Sequence, residues 1–259
     1  MNLQVKKTVL VARYTFLEII KSKVLMNTFI LGAALMIVSF VASEFTFGVP
    51  QKISLDIGVG LLSISAVAMA IFFGSSLMTK EIESRTVFML LSRPIKRNSF
   101  LIGRLLGLIL MIILNTFILG VLTLGVYFFL GGSPDALIFW CLGLIVLEAI
   151  MMLVIVVFFS LITNTTMAVL YSITTYIIGH ILSASLSLEF VKNSPITQKV
   201  IGYYGIFFPD FSKLNIKDFL IYNVTLPNEI LFKASTYGVL YSVGVLILCL
   251  AVFNNRDLE

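Results

Sequence analysis

ALIFWCLGLIVLEAIMMLVIVVFFSL, residues 136–161, holds a single charged side chain, Glu148, in 26 positions. A run so long and so apolar crosses the roughly 30 Å hydrocarbon core of a bilayer as one helix, because a helix satisfies its own backbone N–H and C=O groups where no water can. Five further runs of the same kind flank it: Val24–Ser43, Ile57–Met78, Leu101–Leu130, Met167–Leu188 and Ala234–Phe253. The expected fold is an all-α membrane protein of six transmembrane helices forming a single transmembrane domain over residues 1–259. Composition agrees, with 59% hydrophobic residues, 12% charged and a mean hydropathy of +1.07, against roughly 25% charged in soluble domains.

Gly131-Gly132-Ser133-Pro134 and Thr163-Asn164-Thr165 are links too short for anything but helical hairpins, so neighbouring spans alternate in direction. Lys and Arg then set the orientation. The first 23 residues carry Lys6, Lys7, Arg13, Lys21 and Lys23; the link between spans two and three adds Lys80, Arg85, Arg93, Lys96, Arg97 and Arg104; the tail adds Arg256. The opposite side has Lys52 and five cations spread over residues 189–233. This excess predicts cytoplasmic termini in a multi-pass protein of the cell (inner or plasma) membrane. Beside apolar runs, the net charge of +5 and pI near 9.2 read as topology determinants and lipid-headgroup contacts rather than a nucleic-acid surface.

Residues 1–23 read as an amphipathic helix in the membrane interface rather than as a cleavable signal. Val5, Val9, Ala12, Phe16 and Ile20 share one face, and Lys6, Lys7, Arg13 and Lys21 the other. The long stretch 189–233 is rich in Tyr, Phe and Pro and reads as an extracytoplasmic cap of short interfacial helices, with a gate on an outer mouth as the sharper reading. Cys141 and Cys249 both fall inside spans and read as small core residues rather than a disulfide or metal pair.

The densest chemistry lies in residues 79–97. Glu81 and Arg85 stand four apart in the order that favours a helical ion pair, and Pro94 ends the helix by disfavouring a helical Arg93, after which Asn98 or Ser99 can cap the third span. Phe88, Met89, Leu90 and Leu91 give this charged segment an apolar set that wants a groove. The pattern Glu81 to Thr86 followed by Leu90-Leu91-Ser92-Arg93-Pro94-Ile95 resembles the element that precedes the third of six spans in ABC-2 type transporter permeases. The layout of spans is similar along nearly the whole chain, nearest to the stand-alone permease subunit of the nitrous oxide reductase maturation type. The resemblance implies a coupling helix with Glu81, Glu83, Arg85, Thr86, Phe88, Leu91 and Arg93 as contacts. It also implies two copies of an ABC ATP-binding subunit that hold ATP and Mg, and a second permease copy or homologue. No GxxxxGK[ST] loop occurs in the chain, so any ATP chemistry belongs to such a partner.

Glu148 stands mid-span, where an ionised carboxylate costs about 2.5 to 3.5 kcal/mol on insertion scales. It faces either a polar path or a neighbouring helix. On the fifth span Ser172, Thr175, Tyr176, Gly179, His180, Ser183 and Ser187 form one polar and small stripe, suited to close helix packing or to lining a path. Asn115 is a further path candidate on the third span, with Arg104 below it as a snorkelling cation, and the Gly103/Gly107 spacing carries little weight by itself. A single histidine excludes an HExxH metal site, and no GxSG-like nucleophile occurs, so the chain reads as a transport subunit and not an enzyme. The expectation is an exporting permease. A membrane anchoring or assembly protein and a gradient-driven carrier using Glu148 are its rivals.

Overall fold

The computed structural model describes residues 3–21, 24–45, 49–83, 96–187, 203, 205, 208–221 and 226–255. Its helices are α1 (Leu3–Lys21), α2 (Val24–Glu44), α3 (Pro50–Glu83), α4 (Arg97–Phe129), α5 (Ala136–Ile162), α6 (Thr165–Ser187), the short α7 (Lys217–Ile221) and α8 (Asn228–Asn255), with a 3-10 turn at Phe211–Lys213. Among the described residues there is no strand, and five helices are long and apolar enough to cross a membrane: Met26–Glu44, Pro50–Ser76, Arg97–Phe129, Ala136–Ile162 and Asn228–Asn255. The chain is thus an all-helical protein of the multi-pass membrane type. Helix α6, whose side chains are described through Ile181, is not counted among those five.

Helix α5 is the hub. Met151, Met152, Leu153, Val156 and Val157 are fully enclosed, which is what an apolar helix with no polar face achieves only when other helices surround it. Small residues on α3 let it approach: Ala66 and Ala70 are fully buried, and a Cβ on Gly74 would stand 3.0 Å from Val156. Trp140 meets Phe232 edge-on, and the Cys249 thiol reaches the Val154 carbonyl, so α8 runs parallel to α5. Both cysteines are free and buried.

The hairpin signals act as local chemistry predicts. Gly131 takes φ +87°, a left-handed conformation that glycine adopts without strain, and Asp135 caps α5 by accepting from the Leu137 N–H at 3.0 Å. Pairing of Gly58 with Thr123 and of Leu62 with Gly120 makes α3 and α4 antiparallel. Continuing that register brings Glu83 level with the start of α4. Helices α3 and α4, of 34 and 33 residues, each rise about 50 Å, well beyond a ~30 Å hydrocarbon core.

Three local expectations are corrected. Helix α3 runs unbroken to Glu83, so residues 79–83 continue the helix of the second span instead of opening a separate one, and residues 84–95 lie outside the described residues. Helix α4 begins at Arg97 with Lys96 as its cap residue and no side-chain cap; the Ser99 hydroxyl reaches Gln4 on α1 instead. On α1 the expected apolar face is packed at Ala12, Phe16 and Ile20, joined by Val11, Thr15 and Ile19, while its first two members, Val5 and Val9, are exposed. Helix α1 lays this stripe on protein, along the first turns of α4. The notch it enters is made by Gly103 and Gly107. A Cβ at Gly103 would lie 2.8 Å from the Thr8 carbonyl oxygen, and one at Gly107 would lie 2.8 Å from the Ala12 carbonyl oxygen.

Arg104, expected to snorkel, instead donates to Glu18 at 2.8 Å and to the Thr15 hydroxyl at 3.4 Å, closing the α1–α4 contact. Glu18 is 68% exposed, so water screens this pair. Glu18→Gln is expected to lower stability by less than ~1 kcal/mol, read as a small shift of the thermal midpoint in detergent.

Candidate functional site

Glu148 is 2% exposed and sits at the middle of α5. Two other helices bring partners to it. Ser63 of α3 donates to Oε2 at 3.5 Å, and His180 Nε2 of α6 lies 3.5 Å from Oε1. Oε1 itself accepts no hydrogen bond. A buried carboxylate oxygen without a donor is costly, and such an atom marks either a missing ligand or a proton.

These groups border a cavity of about 190 Å³ lined by Val59, Ser63, Cys141, Glu148, Tyr176, His180 and Lys217, among others. It extends from Glu148 toward the ends of α3 and α5 marked by Pro50 and Ala136. In the other direction it is closed by the apolar layer Met151–Val157, whose side chains are at most 4% exposed.

Its cover comes from residues 209–217. The Pro209 carbonyl passes directly over Gly179, where a Cβ would collide with it and stand 2.6 Å from the Phe211 ring. Phe211 is fully buried, stacks on His180 with centroids 5.7 Å apart, and meets Tyr176 at 5.3 Å. Asp210, 6% exposed, is held by Ser212 and by Lys213 at 3.4 Å, and its backbone N–H donates to the Tyr237 hydroxyl at 2.8 Å. Leu214 seats against the Gly238 region of α8. The Lys217 ammonium stands 3.6 Å from where a Cβ on Gly60 would be, inside the cavity rim.

Of the stretch 189–233, the described part 208–217 packs into the bundle as this cover, with Phe211, Leu214 and Ile216 buried; most of the rest lies outside the described residues. Aromatic content was the signal followed, and Phe211 is fully buried against Tyr176 and His180.

The structure brings together Glu148, Tyr176 and His180. Ser172 is on the same helix, fully buried with its hydroxyl unpartnered, but two turns removed from His180; Thr175 donates to its own helix at the Tyr171 carbonyl. Asn115 belongs elsewhere. It accepts from Thr28 at 2.7 Å and borders a second, mostly apolar cavity of about 290 Å³ between α2, α3 and α4, lined also by Leu31, Met69, Phe72 and Phe73. Glu81 and Glu83 lie on the last turns of the α3 backbone, with side chains outside the described residues, as is the side chain of Ser183. Arg85, Thr86, Phe88, Leu91 and Arg93 lie outside the described residues altogether.

Ser63 and Lys217 were missed by sequence reading. Ser63 is one hydroxyl within an apolar run, and Lys217 was counted only among the cations that set topology. No known protein-family model matches the chain, and no curated protein is significantly similar to it.

Proposed function

We propose that the chain is the transmembrane permease subunit of an ATP-driven ABC-2 type transporter, an exporter with six spans, α6 being one of them, and with cytoplasmic termini in the cell membrane. The observation that carries this reading is the pair of overlong antiparallel helices, α3 and α4. Both converge on the charged segment 84–96 at the end where α1 is clamped through Gly103, Gly107 and Arg104. A force applied to that segment would be transmitted along two rigid helices that flank the bundle core, which is the requirement for a coupling element driven from outside the membrane. Two copies of an ATP-binding subunit with their ATP and Mg, and a second permease copy or homologue, complete the assembly in this reading. Membrane lipid surrounds it.

The test is reversal of Glu81 and Arg85 to the opposite charges in the complete complex. Coupled ATPase is expected to fall at least ~10-fold, equivalent to about 1.4 kcal/mol of lost coupling, while membrane insertion stays intact. Unchanged coupled activity refutes the assignment. One observation favours a rival, a gradient-driven carrier: Oε1 of Glu148, buried and without a hydrogen bond of good geometry, is a place for a proton. Such a carrier would lose transport on Glu148→Gln and run without any ATP-binding partner, as an anchoring or assembly protein would run without any transport.

A further inference from the structure

The cavity above Glu148 contains two opposite charges that do not neutralise each other directly. Glu148 contributes a carboxyl group at the floor, 2% exposed, whose Oε1 has His180 Nε2 at 3.5 Å but meets no donor at hydrogen-bond geometry, and Lys217 contributes an ammonium at the rim. Among the described residues no carboxylate lies within ion-pair distance of that ammonium; the nearby Asp210 is engaged by Lys213 and Ser212. Between the two charges are a hydroxyl from Ser63, the imidazole of His180, the phenol of Tyr176 and apolar walls from Val59, Ile64 and Ile145.

We propose that this cavity is a binding site for a small zwitterion, whose ammonium group meets Glu148 and whose acid group meets Lys217. Charge balance decides the class. A buried charge is tolerated when paired, and an isolated one is expensive in a low dielectric. When Glu148 is ionised and His180 is not, the fixed charges of the site sum to zero, and a zwitterion keeps that balance while giving each charge a partner. A simple amine would satisfy Glu148 and leave two cations facing each other; a simple acid would leave two anions. Tyr176 lines the cavity beside Glu148, and an aromatic ring next to a carboxyl group favours an ammonium at the floor rather than an acid.

Size narrows the class further. About 190 Å³ corresponds to roughly six water volumes, which suits a ligand of about five to eight non-hydrogen atoms. The ligand enters from the side where Pro50 and Ala136 lie, past residues 209–217, because the other side is closed by Met151–Val157. The site does not depend on an ATP-binding partner, and binding alone tests it.

The experiment uses the full chain in lipid nanodiscs, titrated calorimetrically with glycine, β-alanine and 4-aminobutyrate, which differ in charge separation, and with butylamine and butyrate as single-charge analogues. At least one zwitterion is expected to bind and to raise the thermal midpoint, with butylamine and butyrate at least ~10-fold weaker, a gap of about 1.4 kcal/mol. Lys217→Gln, at a half-buried position, and Glu148→Gln are each expected to weaken the zwitterion at least ~10-fold, again about 1.4 kcal/mol. Should Glu148→Gln fail to fold, Lys217→Gln alone decides. Butylamine binding as tightly as the best zwitterion, zwitterion binding that survives Lys217→Gln, or no binding by any of the five compounds overturns the proposal.

Discussion

Gly179→Val is expected to raise the rate at which a membrane-impermeant maleimide labels Cys141 by about 10- to 100-fold, the change produced when a cover loses about 1.4 to 2.8 kcal/mol of seating energy to overpacking. Cys141 is 3% exposed and lines the Glu148 cavity beneath residues 209–217. Access to it therefore requires the cover to lift. The cover is seated on Gly179, where the Pro209 carbonyl and the edge of the Phe211 ring occupy the space a side chain would take. A backbone carbonyl cannot rotate away as a flexible side chain would, so even one methyl group forces the segment to move. The measurement is made on a Cys249→Ser background, since Cys249 is the other free thiol. Gly143→Ala is the control: it lies on the same helix as Cys141 and a Cβ there meets nothing within 4 Å, so labelling should stay unchanged. Equal rates for Gly179→Val and the parent would mean that the cover does not depend on this contact. Loss of the zwitterion affinity in Gly179→Val would follow as a second effect, since Lys217 travels with the same segment.

The reason this cover escaped sequence reading is instructive about what periodicity contains. Hydropathy reports whether a residue prefers lipid to water, and it located the apolar helices because the backbone in lipid has no alternative to the helix. Turn chemistry at Gly131 and Asp135 is equally local and equally legible. Glu148 stood out because a carboxylate in an apolar run has a cost that any neighbourhood must meet. What periodicity lacks is the partner. Gly179 sits in a stripe whose polarity was visible, yet the element that fills the stripe comes from a stretch some thirty residues later in the chain and outside any helix pattern. Asn115 and Glu148 were grouped because both are polar and mid-span, but they lie on opposite sides of α3 and border different cavities. Arg104 was assigned to headgroups because its acid, Glu18, belongs to another helix. In each case residue chemistry was read correctly and the neighbour was not, since neighbour identity is set by packing of whole helices.

Gly103→Leu combined with Gly107→Leu is the second large effect, and it tests the clamp between α1 and α4. Among the described glycines these two face main-chain atoms of another helix: the Thr8 carbonyl oxygen at 2.8 Å and the Ala12 carbonyl oxygen at 2.8 Å from the added Cβ positions. Isobutyl groups there cannot be absorbed by rotamer changes, so α1 must leave its seat. Overpacking at one such site costs about 1 to 3 kcal/mol, and two on the same face exceed what a single 19-residue helix can recover by shifting. Helix α1 carries exposed Lys6, Arg13 and Lys21, which makes limited trypsin digestion the direct readout. Cleavage within α1 is expected to accelerate by at least ~10-fold, the population change that about 1.4 kcal/mol of lost docking produces. Gly244→Ala, which meets nothing within 4 Å, should not change it. The distinguishing power lies in what survives. Because among the described residues α1 packs chiefly on the start of α4 and, weakly, on α2, the Glu148 cavity on the far side of α3 should keep its ligand affinity while coupled ATPase in the full complex collapses. If zwitterion binding falls together with α1 docking, the two ends of α3 and α4 are not the separable lever and site proposed above. If trypsin cleavage is unchanged, α1 is not held by the glycine notch at all.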